Sequence, residues 1–219
     1  MGKSSKEGSL ITRARLLDSA EMLFATEGVE HVSLLRIACH AGLTRGALYW
    51  HFDNKNALLA AMFERGYARI ATRIEAFSER ISTGVLLEDV QGFCLQLVEE
   101  PFVDTQTMRF FVILLARTEM TEQNALAIGF RHAVDSLISV LRTALDRAIG
   151  HGVLPSTLDS RCCAHYIHGQ IVGALILTLD TAPRTSARAV ARATVSAALT
   201  ALTCPSVLDA LSTTRSTIR

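Results

Sequence analysis

Residues 44–55, TRGALYWHFDNK, gather side chains suited to one kind of chemistry: hydrogen bonding to the edges and backbone of a polyanion. Arg45 carries five N–H donors in a rigid fork that matches a guanine edge or a phosphate. Thr44, Tyr49, His51 and Lys55 add hydroxyl, imidazole and ammonium donors, while Gly46 and Ala47 have almost no bulk. On a helical wheel Leu48 and Phe52 share one side. Gly46, Ala47 and Trp50 turn away from it, with Arg45 and Tyr49 stacked at i and i+4 along the border. Small residues at the exposed start of a helix let it enter a major groove, where its first residues meet base edges. On this reading Arg45 reads a base, whereas Thr44, Tyr49, His51 and Lys55 hold phosphates, which position the helix without reading sequence. Backbone amides at the start of the following helix could hold one more phosphate. The competing reading is a helical hairpin whose rings merely cover a core; it leaves exposed Tyr-Trp-His beside Gly-Ala unexplained.

Such a helix must be held at a fixed angle, and SLLRIACHAGLTRGALYWHF (residues 33–52) has the layout of two short helices crossing over a turn. Ser33 suits the N-cap of the first and Thr44 that of the second, with Gly42 in the turn between them. Ile37, Ala38, Leu43 and Leu48 are spaced to pack at the crossing, and Leu43 with Leu48 can staple the Thr44 cap. Upstream, apolar spacing predicts a helix from about Leu10 to Glu27, ended by Gly28. Downstream, Asp53 or Asn54 caps a long fourth helix towards Ser82. Longer helices follow at about 86–100, 104–118, 122–150, 156–180 and 184–203, and Pro101, Pro155, Pro183 and Pro205 fall between or after them. No segment alternates convincingly as a strand. The chain therefore reads as all-α: an N-terminal three-helix, helix-turn-helix DNA-binding domain over residues 1–55, a larger C-terminal helical domain over 56–204 with candidate ligand-binding and dimerisation faces, and a frayed tail over 205–219.

Bulk properties are consistent with this and exclude other classes. The 219 residues are 49% hydrophobic and 20% charged, too apolar for disorder. The net charge of +1 announces no nucleic-acid partner, so any basic surface must be local. MGKSSKEGSL lacks the apolar core of a signal peptide, and the run from Ile171 to Leu179 is far short of the ~20 residues a membrane span needs. Five cysteines in unpatterned positions suit a reducing compartment. A cytoplasmic protein with no membrane partner is expected. No phosphate loop, nucleophile elbow or dinucleotide fingerprint is present, so neither catalysis nor a cofactor is expected.

Two features of the larger domain invite a functional reading. Rings and thin polar groups are frequent, among them Phe63, Tyr67, Phe93, Phe111, His168 and Gln170, with Leu97 and Leu114 on the same helices. A cavity lined by these would suit an apolar or cationic inducer; any single ring taken alone suits ordinary core better. The last two helices carry small residues at helical spacing: Gly169, Gly173 and Leu177, then Ala187, Ala191, Val195, Ala198 and Leu202. Smooth faces of this kind serve a homodimer seam or internal packing. Cys162, Cys163, His165 and His168 lack a pair-plus-pair ligand pattern, so no metal is expected.

The segment from Arg13 to Leu59 closely resembles the DNA-binding domain of TetR-type bacterial transcriptional repressors, with LLDSAEMLFATEGVEHVSLLRIACHAGLTRGALYWHFDNKNALLAAM following the pattern almost throughout. TRGALYWHF followed by NK resembles the AcrR-type branch, which controls multidrug efflux operons. TEMTEQNA near 118–125, GVLPSTLDSR at 152–161 and LTCPS at 202–206 extend the likeness more loosely. Cys39-His40 departs from the branch's usual residues. The resemblance implies phosphate contacts from Ser33, Thr44, Tyr49, His51 and Lys55, and base contacts from Arg45 with Ala47 and Trp50. It also implies a ligand cavity and a four-helix dimer seam across a two-fold axis. Lys3 and Lys6 could form a flexible arm towards the minor groove or backbone.

The sequence thus points to a ligand-responsive repressor that binds a palindromic operator in double-stranded DNA as a homodimer and is released by drug-like hydrophobic or cationic compounds. A regulator of lipid or signal metabolism would share the same head. A helical carrier or enzyme using Tyr67, His168 and Gln170 would have no reason to expose Trp50 beside Gly46.

Overall fold

Helix α1 runs from Gly2 to Glu27 in a computed structural model that describes residues 2–84, 87–115, 124–180 and 184–204. It begins well before the expected Leu10. Residues 2–9 contain no proline or β-branched side chain to stop the helix, so Lys3 and Lys6 stand on helical backbone rather than in a flexible arm. Gly28, at φ 85°, ends the helix by donating its N–H to Phe24 O. Helix α2 spans Leu34–His40, α3 Arg45–His51 and α4 Lys55–Thr83. Asn54 caps α4 by accepting the Ala57 N–H at 2.9 Å. Helix α5 covers Leu87–Glu99 and leads into a 3₁₀ turn at Glu100–Phe102 with Pro101 in its first turn. Helix α6 covers Thr105–Leu115, capped by Asp104, and α7 covers Ala125–Gly150, where Asn124 accepts the Leu126 N–H. Helix α8, Ser160–Asp180, starts later than expected because Asp159 is its cap, accepting the Arg161 and Cys162 N–H groups. Helix α9 spans Arg184–Ala201. The expected boundaries at 118 and 122 and the tail over 205–219 lie outside the described residues. Every described element is helical, and among the described residues no helix is long and apolar enough to cross a membrane.

Contacts divide the chain into two compact units, which do not follow the expected boundary after residue 55. The first comprises Met1–Ala68 with Asp104–Arg131, the second Arg69–Val103 with His132–Arg219. The first unit is larger than the expected head because α6 packs on α1 and Arg65 of α4 pairs with Asp18 and Glu21 of α1.

In the first unit the α1 stripe Leu16, Leu17, Ala20, Leu23 and Phe24 is buried, as are Ile37 and Ala38 of α2 and Leu48 of α3. The turn between α2 and α3 is made by Gly42 at φ 63°, a left-handed conformation that a side chain would strain. Its N–H donates to Cys39 O and the Leu43 N–H to Ala38 O. Gly66 of α4 faces the Phe110 ring so closely that a Cβ there would lie 2.1 Å from it.

In the second unit Phe77 and Phe93 stack at 4.2 Å with ring planes 6° apart. Helices α5, α8 and α9 pack on one another. Arg147 of α7 donates to Ile81 O at 2.6 Å, closing the C-terminal end of α4. Glu99 of α5 receives both Arg188 and Arg192 of α9.

Candidate nucleic-acid interface

The geometry of the head follows from its caps. Ser33 accepts the Arg36 N–H at 3.2 Å and Thr44 accepts the Ala47 N–H at 3.1 Å, each from an extended backbone. In both cases the hydroxyl oxygen is used as acceptor, which leaves its O–H as a donor at an exposed helix start. Leu48 and Phe52 are buried, as the wheel requires, and the opposite side of α3 faces outward. Arg45 and Gly46 are exposed, Ala47 is half-buried, Tyr49 is 42% exposed and Trp50 is 82% exposed. The Arg45 guanidinium lies 5.3 Å from the centre of the Tyr49 ring, a cation–π contact that steadies the long side chain without using its N–H donors. A short, capped helix therefore presents a forked cation, two rings and two small residues.

His51 lies at the border of this surface and is half-buried. Burial, aided by the nearby Arg13 charge, holds its imidazole below the usual histidine pKa of 6.5. Near neutral pH it is an uncharged donor and acceptor.

Lys55 departs from its expected part as a free phosphate donor. It is half-buried, donates to Val29 O and lies 5.8 Å from the Phe24 ring centre. One of its three N–H groups is thus spent tying the start of α4 to the segment after α1. Two α1 arginines that the sequence reading passed over hold the head together. Arg15 donates to Ala41 O at 2.7 Å, beside the Gly42 turn, and Arg13 lies 5.3 Å from the Phe52 ring centre. Nothing in their spacing marks them, because each partner is distant in sequence. Arg36 is exposed and paired with Glu27 at 2.7 Å.

The residues expected to line a ligand cavity fall in both units. In the first, Phe63 stacks on Tyr67 at 5.4 Å and tilts against Phe110 at 5.8 Å, and Phe111 and Leu114 are buried. In the second, Phe93 is stacked on Phe77, Leu97 is buried, and His168 and Gln170 are half-buried. A cleft of about 160 Å³ in the second unit is lined instead by Arg73, Gln96, Glu99, Glu100, Phe102, Val103 and Arg188. Burial pushes the Cys163 thiol up to about 11, the character of a packed thiol.

The dimer stripe expected on α9 is corrected. Ala187, Ala191, Val195, Ala198 and Leu202 are all buried within the single chain, where α9 packs on α8 and α5. Small residues allow this close internal approach as readily as they allow an interface. The α8 residues remain outward: Gly169 is exposed, Gly173 is half-buried with open space beside it, and Leu177 is 49% exposed. Ile176 of α8 and Val190, Ala193 and Ala197 of α9 are exposed as well.

Comparison with known proteins agrees with this geometry. Residues 16–62 match the family model described as bacterial regulatory proteins, tetR family. The chain is 32% identical over 185 residues to the HTH-type transcriptional regulator TtgR of Pseudomonas putida, covering 81% of this chain and 86% of that protein. Among solved structures, NalD of Pseudomonas aeruginosa, described as the secondary repressor of the MexAB-OprM multidrug efflux pump, superposes with a TM-score of 0.75. It is 29% identical, and the match covers 90% of this chain and 98% of that one. A complex of SmeT with triclosan gives 0.75 at 26% identity, covering 90% and 94%; SmeT is described as the repressor of the Stenotrophomonas maltophilia efflux pump SmeDEF.

Proposed function

The chain belongs to the TetR family of bacterial regulatory proteins, and from that premise we propose that it is a cytoplasmic, ligand-responsive repressor of a multidrug efflux operon. It binds a palindromic operator as a homodimer. The observation that carries the reading is α3, whose Thr44 cap, exposed Arg45–Tyr49 pair and exposed Trp50 suit insertion into a major groove. Arg45 reads a base edge. Ser33, Thr44, Tyr49 and His51 hold phosphates, and Lys55 adds its remaining N–H groups to them. Lys3 and Lys6, on the first turns of α1, extend the positive charge of the head.

Two copies are needed to read two half-sites. The seam that fits is the outward face of α8, with Gly169, Gly173, Ile176 and Leu177, continued by Val190, Ala193 and Ala197 of α9. Its small and apolar residues let a second copy approach closely. A hydrophobic or cationic compound, bound among the aromatic side chains of the helical body, releases the operator. Rings give dispersion and cation–π attraction with little directional demand, which favours broad selectivity. Names of relatives that repress multidrug pumps support this class of ligand and target.

The test has two stages. Footprinting on the DNA beside the gene should reveal a protected palindrome, and no protection there or on any neighbouring intergenic segment sinks the operator reading. A fluorescent cationic dye is then titrated with and without saturating operator. Coupling is reciprocal, so dye affinity should fall by the same factor by which dye weakens operator binding, typically ~1–3 kcal/mol. Equal dye affinity in both titrations would remove ligand control. Substituting Phe63 and Phe93 by alanine, one at a time, shows which set of rings receives the dye.

A further inference from the structure

Glu21 lies on the inner face of α1, one turn after Leu17 and one turn before Phe24, and its side chain is 1% exposed. Its Oε1 accepts the Arg65 Nε–H at 3.2 Å and lies 2.6 Å from Arg65 Nη2. Oε2 is buried without a hydrogen-bond partner, and Nη2 completes no well-directed hydrogen bond. Arg65 also donates from Nη1 to Asp18 Oδ1 at 2.8 Å, one turn earlier on α1. Burial, the largest influence, holds the Glu21 carboxyl above the usual range; Arg65 and Gln106 of α6 oppose it, and the Asp18 charge adds to it.

Stability is a poor reason for this arrangement. A buried ion pair with unused hydrogen-bonding capacity on both sides does no better than two well-packed apolar side chains. What a guanidinium adds is direction. A planar fork that engages two carboxylates at i and i+3 fixes the rotation of α1 about its own axis as well as its distance from α4. Helix α1 passes this orientation on, because Arg15, one turn before Asp18, holds Ala41 O at the turn between α2 and α3.

We propose that Arg65, through Glu21 and Asp18, is the positioning residue that sets the helix-turn-helix on α4 in the arrangement that binds operator. The inference rests on the DNA-binding reading of α3. The half-used geometry supplies a second setting. Nε and Nη2 now both address Oε1, whereas a side-on fork would take Oε1 and Oε2 together. A small rotation of α1 on α4 converts one setting into the other, so the pair can follow a change in helix orientation without being broken.

The experiment uses the full chain and compares parent, Glu21→Gln, Arg65→Lys and the double variant Glu21→Leu/Arg65→Met. For each, affinity for operator and for scrambled duplex is measured beside the thermal midpoint. The double variant should melt at or above the parent, yet lose operator preference by about three- to thirtyfold. Arg65→Lys should fall between, since an ammonium can hold one carboxylate but cannot fork across two. A double variant with the parent's preference overturns the proposal. Should that variant not fold, Glu21→Gln decides: it keeps the shape and removes the charge, and a parental operator preference at a parental midpoint overturns the proposal. If the parent itself binds no duplex, the DNA-binding reading fails separately. Positioning is then read by hydrogen exchange, where Glu21→Gln should speed exchange at the α2–α3 turn and unchanged rates there overturn it.

Discussion

Arg45 is the side chain to which the proposed function gives base reading. It is exposed, and the Tyr49 ring steadies it without occupying its donors. Arg45→Ala should leave the melting midpoint unchanged and lower the ratio of operator to scrambled-duplex affinity by about 1–3 kcal/mol, measured by anisotropy at fixed salt. An unchanged ratio removes its base-reading part. His51 makes a prediction of opposite kind, in pH. Its folded pKa is lowered from 6.5, so between that lowered value and 6.5 the unfolded chain binds more protons than the folded one. Its stability contribution is therefore complete above pH 6.5 and is lost as pH falls through this window. In the proposed contact a phosphate against His51 raises its pKa again, so operator binding takes up a proton and strengthens as pH falls towards the lowered folded value. Replacing His51 with Gln should flatten the plot of log affinity against pH; a variant with the parental slope places the linked proton elsewhere. Lys55 belongs to both accounts, since its link to Val29 O makes Lys55→Ala lower the melting midpoint as well as DNA affinity.

At the scale of elements, close approach is what small residues provide. Gly66 lets the Phe110 ring of α6 pack directly against α4, and a Cβ there would collide with three ring atoms at 2.1–2.6 Å. Gly66→Ala should destabilise the first unit by about 1–3 kcal/mol, the usual cost of overpacking, as a fall in the urea midpoint at unchanged slope. The α9 stripe obeys the same logic inside the second unit. Ala191 is 0% exposed, so Ala191→Glu buries an unpaired charge and should cost about 3–5 kcal/mol, read as early unfolding rather than as dissociation of a folded dimer. A folded, stable, monomeric Ala191→Glu protein would return the stripe to the interface.

At the scale of the whole molecule, the proposed reading of a palindrome needs two copies, and the proposed seam is the outward face of α8. Leu177, 49% exposed, stands on that face with Gly173 and Gly169 one and two helical turns before it. Leu177→Glu would set a charge near its symmetry mate in a desolvated contact. Sedimentation should find folded monomers with the parent's melting midpoint, and operator affinity should fall because each half-site is then bound alone. A variant that remains dimeric moves the seam to another surface.

The sequence by itself determined much of the head. The caps Ser33, Thr44 and Asn54, the turn at Gly42 and the outward set Arg45, Tyr49 and Trp50 depend on neighbours within about one helical turn, and local spacing is enough to specify them. Residue order also marked the family, since residues 16–62 carry its pattern densely. Only tertiary structure decided what depends on distant partners. Ala187 to Leu202 could form a seam or a core at identical spacing, and packing on α5 and α8 made them core. Lys55 could face a phosphate or its own chain, and Val29 O, far from it in sequence, took its ammonium. Glu21 and Arg65 stand 44 positions apart, so no periodicity links them. Helical spacing states which face a residue shares, whereas the identity of what covers that face is fixed by contacts between elements that one-dimensional order does not contain.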